Sequence, residues 1–97
     1  MQQLDPATLK NLLAHNKAPL LIDIREDWEH EAFNIGGLHI PMGDILQRLN
    51  EIPKDLPVVL YCEKGIRSTI TIQRLEGLGY TQLINLSGGM KAWKAIN

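Results

Sequence analysis

Pro57-Val58-Val59-Leu60-Tyr61-Cys62-Glu63-Lys64-Gly65-Ile66-Arg67-Ser68 is the stretch on which the fold turns. Its first six residues are apolar throughout and include adjacent valines, the strongest strand signal in the chain. Glu63-Lys64-Gly65 is a short polar loop. A helix is predicted from about Arg67 to Leu78, with Ile70, Leu75 and Leu78 among its apolar positions and Gly79 as the residue just beyond its end. Towards the C-terminus, Gln82-Leu83-Ile84-Asn85-Leu86 reads as the next strand. Ser87-Gly88-Gly89 then turns into a last helix carrying Met90, Trp93 and Ile96.

Working back towards the N-terminus, Gly43-Asp44 opens a predicted helix in which Ile45, Leu46, Leu49 and Ile52 repeat at helical spacing, with Pro53 beyond its end. Leu38-His39-Ile40 is a short strand stopped by Pro41, and Glu26 to Ala32 is a short helical turn broken by Asn34-Ile35-Gly36-Gly37. Leu20-Leu21-Ile22-Asp23-Ile24 is a continuous run, short enough for a strand buried on both faces. Asp5-Pro6 starts a helix as N-cap and first helical residue. Leu9, Leu12 and Leu13 share its inner face, and it ends near His15-Asn16, before Pro19. Strand and helix therefore alternate, which predicts an α/β domain with a mostly parallel sheet and helices on both faces. In such sheets ligands bind beyond the carboxyl ends of the strands. That rule points to the residues after Ile24, Ile40, Tyr61 and Leu86.

The 97 residues are one domain's worth of chain, and the expected unit is 1–97. An apolar share of 44% and a charged share of 22% suit an ordinary globular protein and argue against disorder. Ten basic against eleven acidic residues give a net charge of −1, which argues against nucleic acid as a partner. One cysteine excludes an internal disulfide and a cysteine-based structural zinc site. No apolar run approaches the ~18 residues of a membrane span. Met-Gln-Gln-Leu-Asp-Pro carries no secretory signal, so the expected compartment is the reducing cytosol.

Cys62 closes the strongest strand and opens a loop into a helix. Such a loop turns several backbone N–H groups towards one point, and the helix adds roughly half a positive charge there. An anion at that point is stabilised, and the Cys62 thiolate is one such anion. Lys64 and Arg67 add positive charge, and Gly65 gives the backbone a left-handed turn. A free cysteine after a strand is often only a small buried hydrophobe; the Cys-x-x-Gly-x-Arg-Ser spacing at a strand-to-helix junction favours chemistry instead.

These residues resemble the rhodanese-like domain family, in its single-domain form. Leu21-Ile22-Asp23-Ile24-Arg25 is similar to its Asp-Val-Arg strand end, and Glu29 with Phe33 to its acidic-plus-aromatic step. Ile35-Gly36-Gly37 and Ile40-Pro41 resemble the stretch leading to Ile-Pro. Tyr61-Cys62-Glu63-Lys64-Gly65-Ile66-Arg67-Ser68 is similar to its active-site signature. Leu78-Gly79-Tyr80, Leu86-Ser87-Gly88-Gly89 and Trp93 resemble its closing pattern. The resemblance implies a central sheet of about five strands and sulfur transfer without a cofactor or a metal. Cys62 would take the sulfane sulfur of a donor such as thiosulfate, or of a persulfide on a small thiol or protein. A thiol or cyanide would then remove it. Glu63, Lys64, Gly65, Ile66, Arg67, Ser68 and Arg25 would line the substrate site. With no second cysteine to resolve a persulfide, the acceptor comes from outside.

Two other readings stand beside this one. Phosphatases of related fold use a Cys-x5-Arg loop, whereas four residues separate Cys62 from Arg67 here and Tyr61 stands where those enzymes carry His. A non-catalytic rhodanese-like interaction module is the other, because fold alone does not fix function. A thiol-reactivity titration separates the module from the enzyme. Arg25 either steers an anionic substrate or holds a structural ion pair. Asp23 and Glu29 are read as tying down Arg67 or Arg25, since a carboxylate beside the sulfur would oppose the thiolate. Ser68 is either a donor to the sulfur or a helix-start residue. Trp28 and Trp93 are read as core or rim aromatics, and His15, His30 and His39 as surface or strand-flank residues. The chain departs from the family in lacking the usual Gly-His-Ile-Pro-Gly-Ala, and in carrying Glu63, whose charge offsets Lys64 and disfavours a dianionic donor.

Overall fold

The computed structural model describes residues 1–96. Its elements run β1 (Gln2–Leu4), α1 (Pro6–Ala14), β2 (Leu20–Asp23), α2 (Asp27–Ala32), β3 (Leu38–His39), two 3-10 turns (Met42–Gln47 and Leu49–Glu51), β4 (Val58–Tyr61), α3 (Ile66–Glu76), β5 (Leu83–Leu86) and α4 (Gly89–Ala95). The five strands form one sheet in the order β1-β5-β4-β2-β3. Every pairing is parallel. The apolar run around Leu60 becomes the middle strand because it is buried on both faces.

Residues alternate across that sheet. Ile22, Val58, Leu60, Cys62 and Leu83 pack on one side with Ile72 and Leu75 of α3 and with Ile45 and Ile52 of the 3-10 region. Leu21, Val59, Tyr61 and Leu86 pack on the other with Leu9 of α1 and Met90 of α4. Asp5 caps α1 as read from the sequence, accepting the Thr8 N–H at 2.7 Å. Among the described residues no helix is long and apolar enough to cross a membrane.

One strand went unread in the sequence, and two local expectations are corrected. Gln2–Leu4 is a strand, although Gln-Gln-Leu has no strand signature. It exists because it pairs with β5, Gln3 opposite Asn85 and Leu4 opposite Leu86. The helix expected from Gly43 is replaced by 3-10 turns closed by i→i+3 bonds: Arg48 to Ile45 at 3.1 Å and Ile52 to Leu49 at 3.0 Å. The segment buries Ile45 and Ile52 and leaves Leu46 62% exposed. The last helix stops at Ala95, and Ile96 is extended.

Candidate active site

The carboxyl end of the middle strand delivers Cys62 into the loop that enters α3. Gly65 takes φ +86 there, and a Cβ on it would lie 3.3 Å from the Gly88 nitrogen. The turn and the close approach both require glycine. The consequence is that Cys62 Sγ accepts the Gly65 N–H at 3.1 Å and the Ser68 N–H at 3.4 Å. The sulfur occupies the role that an N-cap oxygen plays elsewhere, satisfying donors that the first turn of a helix leaves free. It is buried, and the Ser68 hydroxyl lies 3.4 Å from it.

The loop is held from behind by α4. Met90 N–H donates to the Cys62 carbonyl at 2.9 Å and Lys91 N–H to the Glu63 carbonyl at 2.8 Å. A planar trans peptide sets N–H opposite C=O, so the N–H groups of Glu63 and Lys64 turn away from α4. Gly89 permits this approach, because a Cβ on it would meet the Cys62 carbonyl oxygen at 2.4 Å. The glycine pair after Leu86 signalled a turn in the sequence; its service to the cysteine loop had no sequence signal.

Arg67, on the first turn of α3, is held by Glu29 of α2 through two parallel bonds of 2.8 and 2.9 Å. Hydrogen bonds from Arg67 hold the Glu29 carboxyl below its usual range, and the same pairing raises the guanidinium. Arg25 is buried and bound to Asp23 at 3.0 and 2.8 Å. Its other terminal nitrogen is 3.6 Å from Glu63, which thus leans towards β2. Burial pushes the Asp23 carboxyl up, but hydrogen bonds from Arg25 and His30 outweigh it and hold it below the carboxylate range. His30, read as a surface or strand-flank residue, reaches Asp23 at 2.8 Å and stacks on His39 with ring centres 4.2 Å apart.

Cys62, Lys64, Ile66 and Arg67 line a pocket of about 250 Å³. Across the Arg67–Glu29 fork, a second pocket of about 290 Å³ is lined by Arg25, Trp28, Phe33, Glu63 and Lys94 among others. Trp28 is on its rim and 71% exposed. The loop residues singled out in the sequence therefore gather at one sheet edge. Ser68 has its hydroxyl against the sulfur and Ile66 its side chain towards solvent. Asn85 of β5 was missed. It is buried beneath Ser68, whose hydroxyl it accepts, and it donates to Gln3 at 2.9 Å. A polar residue inside Leu83-Ile84-Asn85-Leu86 was the available signal. Among the described residues no three His, Cys, Asp or Glu side chains gather as metal ligands.

A family model described as the rhodanese-like domain matches residues 5–96. A sulfurtransferase of Allochromatium vinosum is 39% identical over 94 residues, covering 96% of this chain and 88% of that protein. The Bacillus subtilis protein YqhL is 46% identical over 74 residues. That alignment covers 75% of this chain and only 59% of YqhL. The crystal structure of a rhodanese-like domain protein from Staphylococcus aureus superposes with a TM-score of 0.87 at 32% identity, covering 96% of this chain and 91% of that one.

Proposed function

The chain belongs to the rhodanese-like domain family, and from that premise we propose that it is a sulfurtransferase carrying sulfane sulfur as a persulfide on Cys62. The observation behind this reading is the sulfur's position: buried, facing two converging N–H groups at the start of α3, beside a pocket of about 250 Å³.

The Cys62 thiolate attacks the outer sulfur of thiosulfate. A new S–S bond forms, the old one breaks, and sulfite leaves with its electron pair. With a persulfide donor the leaving group is a thiolate. The negative outer sulfur of the enzyme persulfide is then stabilised by loop N–H groups, as an oxyanion is in acyl transfer. Cyanide or an external thiolate attacks that sulfur, taking it as thiocyanate or a new persulfide and returning the Cys62 thiolate. Lys64 and Gly65 to Ser68 line the site, with Glu63 and Arg25 at its second rim. Arg67 orders the loop through Glu29, which leaves its fork occupied and unsuited to gripping a phosphoryl group. Residues 1–97 act as one domain, and the lone thiol suits a reducing compartment. The test is thiocyanate formation from thiosulfate and cyanide, and sulfur transfer from a small-thiol persulfide to a second thiol. Turnover with either donor supports the reading. Turnover with neither, with Cys62 intact, points to a binding module.

A further inference from the structure

Beneath the sulfur a chain of hydrogen bonds runs through the sheet. Ser68 Oγ lies 3.4 Å from Cys62 Sγ and donates its proton to Asn85 Oδ1. Asn85 Nδ2 donates to Gln3 Oε1 at 2.9 Å, and Ser87 Oγ donates to the same oxygen at 3.0 Å. Cys62, Ser68 and Asn85 are all buried, so bulk water does not relax their geometry. A hydroxyl has one proton. With that proton held by Asn85, Ser68 turns a lone pair towards the sulfur. A thiol can donate to a lone pair; a thiolate only accepts, and is opposed by it.

We infer that Asn85 is a positioning residue: its amide holds the Ser68 proton away from the sulfur and so sets how readily Cys62 becomes a nucleophile. This opposes the Gly65 and Ser68 N–H groups, which favour the thiolate. Gln3 Oε1 accepts from Asn85 Nδ2 and from Ser87 Oγ, and in that arrangement Asn85 turns its Oδ1 to Ser68. Nearby charges do not supply this effect. Lys64 and Arg67 flank the pocket, Glu29 holds Arg67, and Arg25 faces Glu63, all on the pocket side. Ser68 and Thr71 of α3 and Asn85 of β5 are uncharged, and α4 presents backbone N–H groups to the loop carbonyls.

The inference rests on Cys62 as the sulfur-carrying nucleophile, but its test is alkylation by iodoacetamide, which requires no sulfur donor. In the full chain, Asn85→Ala should move the pH–rate profile of alkylation to lower pH. The rate on its acidic limb should rise about 3- to 10-fold, the size of one hydrogen bond. In a Ser68→Ala background the same change should have no effect. Gln3→Ala, on the exposed edge strand, frees the amide to flip and should move the profile the same way by less; it decides the matter if Asn85→Ala does not fold. An unmoved profile, a move to higher pH, or an equal move without Ser68 overturns the inference. If wild-type protein takes up no sulfur while Asn85→Ala still moves the profile through Ser68, the sulfurtransferase reading fails and the role of Asn85 stands.

Discussion

Two anion sites sit side by side at the carboxyl edge of this sheet, and they are built to opposite ends. At the close of β2, the Asp23 carboxylate is saturated: it accepts the Arg25 N–H and Nε at 3.0 Å, Arg25 Nη2 at 2.8 Å and His30 at 2.8 Å. Both partners of the ion pair are buried. At the close of β4, the Cys62 sulfur accepts two backbone N–H groups, at 3.1 and 3.4 Å, and borders a pocket. The Asp23 carboxylate, with all four lone pairs taken, has no place for a ligand, and its removal is felt as instability. A sulfur that faces convergent donors and borders a pocket keeps room for an incoming atom, and its removal is felt as lost chemistry.

The sharpest way to break this contrast is to change each anion in turn. Cys62→Ser should lower sulfur transfer by more than about 10³-fold, because the nucleophile is gone. Thermal melting should hardly move, and retained turnover would end the assignment of Cys62. Asp23→Asn should do the reverse. It leaves the Arg25 charge buried without its partner, at about 3–5 kcal/mol, so Tm should fall by more than about 10 °C. Activity per folded molecule should stay within a few-fold. Melting curves paired with active-site titration check both halves.

The same contrast has a pH signature. The folded-state carboxyl of Asp23 is lowered, so its stabilisation is full above the unfolded value of about 3.9 and is lost as pH falls through the folded one. Wild-type Tm should therefore be steady down to about pH 5 and drop below about pH 4, whereas Asp23→Asn should show a flatter acid limb. Equal slopes would place the acid sensitivity in other carboxylates.

Two smaller changes sharpen the electrostatics of the sulfur side. Glu29→Gln frees the Arg67 fork, which is a third exposed, so the stability cost should be only about 1 kcal/mol. KM for thiosulfate should fall about 2- to 5-fold as an unpaired cation faces the dianion. An unchanged KM would mean that Arg67 serves the loop alone. Glu63→Ala should raise kcat/KM for thiosulfate about 2-fold, an effect that fades with salt. No change would show that Arg25, 3.6 Å away, already neutralises Glu63.

The region around β4 was legible because its signals are local. An apolar run, a cysteine, a glycine that must turn and a helix start all fall within twelve residues, and the family read from them together with the stretches from Leu21 to Trp93 matches residues 5–96. What escaped the sequence is made by contact. Gln2–Leu4 is a strand only through the edge that β5 offers, and the 42–51 segment tightens into 3-10 turns as it packs Ile45 and Ile52 against the sheet. Glu29 on Arg67 and Asp23 on Arg25 were read as carboxylates that tie down arginines, and the structure resolves which holds which. Asn85 beneath Ser68, the stacked His30 and His39, and the α4 N–H groups behind the loop join residues far apart in the chain.

The central claim, that Cys62 is the open anion site and carries sulfur, is tested most directly by intact-protein mass spectrometry after incubation with thiosulfate or a small-thiol persulfide, then with cyanide. The account predicts a gain of one sulfur atom on wild-type protein, its loss to cyanide as thiocyanate, and no gain on Cys62→Ser. No gain from either donor on wild-type protein, or an equal gain on Cys62→Ser, would contradict it.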